Sequence, residues 1–124
     1  MSGEDIVKTA NSLLGTKYKY GGSTVDGFDC SGFVYYCHQQ NGYTTPRTSG
    51  DLFTGGSDGD GSAGDVVCWN GHVGICDGSG NVIHAYGTTN GKVRTDSIAN
   101  VSKWDKRNVK GYRRWTYWQP QPKK

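Results

Sequence analysis

The sequence predicts an α+β fold in which N-terminal helices pack on a central antiparallel β-sheet. Two segments before residue 40 place apolar side chains at helical spacing. Between residues 65 and 86 the pattern changes to short apolar runs separated by Asn70-Gly71 and Asp77-Gly78, which are typical turn sequences. Strands joined by tight turns are antiparallel, so the order helix, helix, strands indicates an α+β fold.

The length predicts one domain, which we place at residues 1–118. A chain of 124 residues can bury a single core, and its 4 Trp, 8 Tyr and 3 Phe supply large apolar groups. No apolar run approaches the roughly 18 to 20 residues of a membrane span, and residues 1–10 lack a signal-peptide pattern. We therefore expect no membrane span, and the export route stays open.

The first helix is predicted to begin after Ser2, with acidic residues in its first turn, and to stop at Gly15. Its apolar positions share one face: Ile6, Val7, Ala10, Leu13 and Leu14. A second helix is predicted from Cys30 to about Gln40, after the turn-forming residues 21–27. His38 follows the apolar run of this helix, and we expect it to be exposed.

The rest of the chain is predicted to be mostly strand. Ser49 is a candidate cap for a short helical turn that reaches Phe53, and a Gly, Ser and Asp loop follows over residues 55–64. The predicted strands are residues 65–69, 72–76, 81–86, 92–94 and 111–118.

Cys30 lies where the loop turns into the second helix. A thiol in the first turn of a helix faces unpaired backbone N–H groups and the positive end of the helix dipole. Both favour the thiolate, so the position predicts a reactive cysteine. The alternative is a buried structural cysteine.

His72 and His84 are the candidate partners of Cys30. They lie on neighbouring predicted strands, His72 at the start of one and His84 near the end of the next, so antiparallel pairing can bring them side by side. A cysteine nucleophile needs a base, and the base needs a polar group that orients it. With 4 Cys and 3 His in the chain, spacing alone leaves other combinations open.

The remaining cysteines are most simply core residues. Cys37 lies on the second helix, and Cys68 and Cys76 lie on two adjacent strands. Two alternatives remain: a zinc site formed by Cys68, His72 and Cys76, and a Cys68–Cys76 disulfide. We expect no metal.

Charge is distributed unevenly along the chain. Residues 101–124 carry a net charge of +7 and residues 1–100 a net charge of −4, which together give the overall +3. The basic segment could contact a polyanion, although nucleic acid is not the expected partner. The alternative is a solvated face that ends in a disordered tail at residues 119–124.

Six segments together resemble the NlpC-type family of cell-wall cysteine peptidases: residues 15–22, 28–34, 46–49, 64–67, 71–76 and 82–85. The resemblance covers roughly residues 4–118, in the order and spacing of the family. It implies a papain-like fold without a cofactor. It also implies cleavage of peptidoglycan stem peptides outside the cell or in the wall, commonly where D-glutamate is γ-linked to a diamino acid.

The resemblance also implies roles for individual residues. Cys30 matches the nucleophile, His72 the general base and later acid, and His84 the residue that orients the base. Tyr18 matches a tyrosine beside the nucleophile that helps to hold the oxyanion.

Two further positions match less specific roles. Asp29 and Ser31 flank the nucleophile and match positions that line the substrate cleft, where a carboxylate could bind the amine of an N-terminal L-alanine. Three alternatives remain open: an N-acetylmuramoyl-L-alanine amidase with the same residues, an acyl-transfer effector, and an inactive binding module.

Overall fold

The computed structural model describes residues 2–87, 90–104 and 108–116. Its elements, in chain order, are α1 (Gly3–Ser12), β1 (Ser23–Thr24), β2 (Gly27–Phe28), α2 (Cys30–Gln39), α3 (Ser49–Thr54), β3 (Ser57–Asp58), β4 (Val66–Trp69), β5 (His72–Cys76), β6 (Asn81–Tyr86), β7 (Lys92–Ser97), α4 (Ile98–Trp104) and β8 (Gly111–Arg114). Six strands form one antiparallel sheet in the order β3-β8-β4-β5-β6-β7. The predicted α+β class is confirmed.

Side-chain caps begin the first three helices. The Ser2 hydroxyl accepts the N–H of Asp5 at α1, and the Asp29 carboxylate accepts the N–H of Gly32 at 2.6 Å at α2. At α3 the predicted cap, Ser49, is wrong. Thr48 has the extended backbone of a cap and accepts the N–H of Asp51 at 3.2 Å, so Ser49 is the first helical residue.

The sheet separates two apolar clusters. The larger cluster packs α1, α2 and α3 against one face, through residues such as Ile6, Phe33 and Leu52. The smaller cluster includes Val67, Trp69, Cys76 and Val82 from the sheet and Val101 from α4. Alternate residues of each strand therefore enter different clusters, as the period of a strand requires.

Several short elements lie outside the sequence prediction. The hairpin β1–β2, the two-residue β3 and the seven-residue α4 are too short to leave a periodic pattern. The strand predicted at 92–94 extends to Ser97, and the strand predicted at 111–118 is observed over Gly111–Arg114. Residues 117 and 118 and the predicted tail at 119–124 lie outside the described residues.

His38 is fully buried, so the prediction of an exposed residue is wrong. Its Nδ1 lies 2.8 Å from the carbonyl oxygen of Val34, one turn earlier, and therefore carries the proton that it donates. Its ring packs edge-on against Tyr43. Burial lowers the pKa of His38 to about 4, although the Val34 carbonyl and the charge of Asp65 oppose this shift.

The predicted core cysteines are confirmed. Cys37, Cys68 and Cys76 have no exposed surface, and all four cysteines of the chain are free thiols. Cys68 belongs to the larger cluster and Cys76 to the smaller one, so the two side chains lie on opposite faces of the sheet. This separation explains why they form no disulfide.

Two arginines of the basic C-terminal segment are neutralised within the fold. Arg113 pairs with Asp58 at 2.6 Å, and Arg114 makes two hydrogen bonds to the buried carboxylate of Asp65, at 2.8 and 3.0 Å. These pairs tie β8 to β3 and to Asp65, the residue before β4. They reduce the positive charge that the segment can offer to a polyanion.

Candidate active site

Cys30 is the first residue of α2, and its sulfur lies against the start of β5. The nearby backbone N–H groups of Val73 and Ser31, and that of Cys30 itself, act to lower the pKa of the thiol. Burial nevertheless raises the pKa of the Cys30 thiol, and the charge of Asp29 adds to this effect. The expected thiolate is therefore not produced by the helix terminus alone, and a neighbouring base has to take the proton.

His72 and His84 meet as the sequence predicts. His72 begins β5, one residue before Val73, and its Nε2 lies 2.8 Å from Nδ1 of His84 on β6. Both rings are largely withdrawn from solvent, with 6% of His72 and 0% of His84 exposed. The Val73 contact and this hydrogen bond together bring Cys30, His72 and His84 into one site.

Asp96, which was not predicted from the sequence, also contacts the histidine pair. This carboxylate lies on β7, and its Oδ2 is 2.8 Å from Nε2 of His84. The β6–β7 register pairs His84 with Arg94, so Asp96 is the diagonal neighbour of His84 on the same face of the sheet. The predicted strand stopped at Arg94, and extending its alternation by two residues would have indicated Asp96.

Aromatic rings and one arginine surround the histidine pair. Trp69 stacks obliquely 5.6 Å from His72, and Tyr86 contacts both histidines at 5.7 and 5.4 Å between ring centroids. Arg94 pairs with Asp96 and lies 5.3 Å from the ring centroid of Trp104. These groups give the histidines an apolar wall on one side and a charged pair on the other.

Tyr18 lies close enough to Cys30 for the two groups to interact electrostatically. Burial raises the pKa of the Tyr18 hydroxyl, and the charges of Cys30 and Asp29 raise it further. A Cβ atom on Gly87 would lie 2.8 Å from the phenol ring, so the glycine makes room for it. The hydroxyl remains protonated at neutral pH and can donate a hydrogen bond.

Asp29 and Ser31 form a network with Arg47, which the sequence analysis did not single out as a site residue. Arg47 Nη2 lies 3.0 Å from Asp29 Oδ2, and its Nη1 donates to the Ser31 hydroxyl at 2.8 Å. Nη2 also donates to the carbonyl of Gly22 at 3.2 Å. Arg47 thus fixes the loop before the nucleophile, and the Asp29 carboxylate is already an acceptor for Arg47 and for the Gly32 N–H.

Within residues 2–87, 90–104 and 108–116, no group of three or more His, Cys, Asp or Glu is arranged to hold a metal ion. The zinc alternative required Cys68 and Cys76 to converge, and they enter different clusters. In the same residues, no helix is long and apolar enough to cross a membrane.

The protein has an α+β fold with a cysteine at a helix N-terminus and a histidine on an adjoining strand. This arrangement is that of papain-like cysteine peptidases. The family model described as "NlpC/P60 family" matches residues 15–113. The chain belongs to the NlpC/P60 family.

Individual relatives agree with this assignment. A gamma-D-glutamyl-L-lysine dipeptidyl-peptidase of Bacillus subtilis (strain 168) is 38% identical over 93 residues, which cover 66% of this chain and 31% of that protein. This chain therefore spans about a third of the length of that relative.

Solved structures share the fold. An NlpC/P60 family protein from Bacillus cereus ATCC 10987 superposes with a TM-score of 0.81 at 26% identity, over 94% of this chain and 41% of that one. The NlpC/p60 domain of the peptidoglycan hydrolase SagA superposes with a TM-score of 0.73 at 31% identity, over 88% of this chain and 97% of that domain.

Proposed function

We propose that the protein is a cysteine endopeptidase that hydrolyses peptidoglycan stem peptides at the bond between γ-D-glutamate and a diamino acid. The observation that carries the proposal is the convergence of Cys30 with a hydrogen-bonded histidine pair, His72 and His84. The printed name of the Bacillus subtilis relative, which specifies a γ-D-glutamyl-L-lysine substrate, supports the bond. Peptidoglycan also appears in the name of the SagA structure.

The reaction proceeds through a thioester. His72 takes the proton of the Cys30 thiol, and the sulfur attacks the γ-carbonyl carbon of D-glutamate. His72 then protonates the amine of the diamino acid, which leaves as the C–N bond breaks. Water, deprotonated by His72, attacks the thioester carbonyl and releases the glutamate carboxylate and the Cys30 thiol.

The surrounding residues support each step. His84 orients His72 through the 2.8 Å hydrogen bond between the rings. The Tyr18 hydroxyl and the backbone N–H of Cys30 are donors for the oxyanion that develops on the γ-carbonyl oxygen. Asp29 and Ser31 flank the nucleophile, and the Asp29 carboxylate, which already accepts from Arg47 and from the Gly32 N–H, would attract the amine of an N-terminal L-alanine by its negative charge.

The site of action follows from the substrate. Stem peptides belong to the cell wall, so we infer that the enzyme acts outside the cell or within the wall. Contact of the basic C-terminal segment with a wall polyanion is a weaker part of the proposal, because Arg113 and Arg114 are already paired with aspartates.

The proposal is tested by digesting purified peptidoglycan of the diaminopimelate and lysine types with the wild-type protein and with Cys30→Ala. Mass spectrometry identifies the fragments. Cys68→Ala is the matched control, because it removes a different, fully buried thiol, on β4. We expect the wild-type protein and Cys68→Ala to release fragments cut between D-glutamate and the diamino acid, and Cys30→Ala to release none.

Two other outcomes would overturn parts of the proposal. Fragments cut between the sugar and L-alanine would make the protein an amidase with the same nucleophile. Equal cleavage by the wild-type protein and Cys30→Ala would contradict the cysteine mechanism.

A further inference from the structure

We propose that Asp96 is a positioning residue, whose carboxylate fixes the ring tautomer of His84 and, through His84, that of His72. The inference rests on the proposed function, because the tautomer of His72 matters only if His72 is the base for Cys30. It extends the active site by one residue, onto β7.

Both oxygens of the Asp96 carboxylate accept hydrogen bonds. Oδ2 lies 2.8 Å from Nε2 of His84 and 2.8 Å from Nε of Arg94, and Oδ1 accepts from Nη2 of Arg94 at 3.1 Å. The guanidinium of Arg94 has five N–H donors and no acceptor. An ionised carboxylate only accepts, and therefore Nε2 of His84 must carry a proton.

The proton on Nε2 of His84 determines which ring donates in the hydrogen bond between His84 and His72. A neutral His84 with its proton on Nε2 has a lone pair on Nδ1. Nδ1 lies 2.8 Å from Nε2 of His72, so Nε2 of His72 is the donor in that bond. A neutral His72 with its proton on Nε2 has its lone pair on Nδ1, and Nδ1 is then the atom that can take the thiol proton of Cys30.

The carboxylate has a second effect during the reaction. When His72 accepts the thiol proton it becomes a cation, in a site walled by Trp69 and Tyr86. The negative charge of Asp96, on the far side of His84, stabilises the His72 imidazolium. Arg94 pairs with Asp96 and partly offsets this charge, although the Arg94 side chain is 43% exposed to solvent. His84, Arg94 and Tyr86 are the titratable groups that face the site from β6 and β7.

An asparagine at position 96 cannot replace the carboxylate. Both oxygens of Asp96 accept N–H groups, Oδ1 from Arg94 and Oδ2 from Arg94 and His84. The amide group of asparagine would put an NH₂ at one of these two places, where it would face another donor. Asp96→Asn therefore keeps the shape of the side chain, removes its negative charge and leaves a donor of Arg94 or His84 facing an NH₂ group.

The first experiment reads the tautomers of the wild-type protein directly. Two-dimensional ¹H–¹⁵N spectra of the histidine rings distinguish a protonated from an unprotonated ring nitrogen. We expect Nε2 to be protonated and Nδ1 unprotonated in neutral His84, and the same pattern in neutral His72. A proton on Nδ1 of His84 would overturn the inference, and this measurement needs no variant that has to fold.

The second experiment compares Asp96→Asn with Asp58→Asn. Asp58 is the matched control, because it is an exposed aspartate that also pairs with an arginine, Arg113. It lies on β3, at the opposite edge of the sheet from β7. We expect Asp96→Asn to lower kcat about 10- to 100-fold with KM within about threefold, since the loss falls on the reacting state. Asp58→Asn should leave both constants unchanged.

A double-mutant cycle separates positioning from a structural role. If Asp96 acts through His84, Asp96→Asn should lower kcat in the wild-type background and have no further effect in the His84→Ala background. Equal effects in both backgrounds would show that Asp96 acts independently of His84 and would contradict the inference.

The proposed function and the inference can fail separately. Activity retained in Cys30→Ala would overturn the proposed function and the inference with it. Loss of activity in Cys30→Ala together with a normal kcat in folded Asp96→Asn would overturn the inference alone.

Discussion

Gly74 lies opposite His84 on the neighbouring strand, and there is no room for a side chain between them. The β5–β6 register pairs Ile75 with Ile83, which places Gly74 opposite His84. A Cβ atom on Gly74 would lie 2.9 Å from the Cβ of His84 and would also overlap the side chain of Val82. The backbone of His84 is fixed on both sides by β5 and β7, so it has little freedom to withdraw.

Gly74→Ala should therefore lower both stability and activity. Overpacking of this kind costs about 1 to 3 kcal/mol of the free energy of unfolding, and a displaced His84 weakens the orientation of His72. Denaturant unfolding and kcat on a stem-peptide substrate measure the two effects.

Gly50→Ala is the matched control for this prediction. A Cβ atom on Gly50 has no neighbour within 4 Å, and the residue lies inside α3, where alanine favours the helix. We expect Gly50→Ala to be neutral or slightly stabilising with unchanged kcat. Equal behaviour of the two variants would show that position 74 imposes no packing requirement.

The sequence predicted the parts of the site that lie on regular elements. Cys30 follows a turn-rich segment that ends in a capping aspartate, and His72 and His84 lie on strands whose limits are set by Asn70-Gly71 and Asp77-Gly78. Local propensity and periodicity determine such features, so they can be read without tertiary information.

Asp96 and Arg47 were missed by the sequence prediction. Asp96 contributes through the register of β6 and β7, and register depends on pairing across the sheet. Arg47 reaches Asp29 and Ser31 from 18 and 16 residues away, through a bend that has no periodic pattern. His38 was misjudged because a polar residue near a helix end is normally exposed, and here a bond to Val34 satisfies one ring nitrogen within the core.

The thiols should differ sharply in reactivity. Cys37, Cys68 and Cys76 are fully buried, and burial raises the pKa of Cys68 to about 11 and the pKa values of the other two as well. Cys30 is partly accessible. We expect a thiol reagent to modify one cysteine rapidly in the native protein, and all four after denaturation.

Cys30→Ala tests which thiol reacts. This variant should lose the rapid phase and keep the three thiols that appear after denaturation. Rapid modification of two or more thiols in the native wild-type protein would contradict the burial of the core cysteines.

His38 should make the protein less stable in acid. Its pKa is about 4 in the folded protein, against about 6.5 in the unfolded chain, so the unfolded chain binds the proton more tightly. Its contribution to stability is complete above about pH 6.5 and is lost as the pH falls towards 4, by up to about 3 kcal/mol. The physical reason is that Nε2 is buried with no hydrogen-bond partner, so a proton added there has no acceptor among the described residues.

His38→Leu isolates this effect. The free energy of unfolding, measured by urea titration at several pH values, should fall less steeply between pH 6.5 and 4 in the variant than in the wild-type protein. His72 and His84 are present in both proteins, so the difference between the two curves reports His38. Parallel curves would mean that His38 is protonated equally in the folded and unfolded states.

Tyr18→Phe should lower kcat while it leaves substrate binding nearly intact. The Tyr18 hydroxyl lies in the electrostatic environment of Cys30, and its raised pKa keeps it a proton donor at neutral pH. If it stabilises the oxyanion, its removal should lower kcat by about 100- to 1000-fold with little change in KM, as for the loss of one donor from an oxyanion hole. Tyr20→Phe is the matched control, because Tyr20 is 92% exposed and two residues away. If both variants keep the wild-type kcat, the oxyanion has to be held by backbone N–H groups such as that of Cys30, and Tyr18 serves only to pack against Gly87.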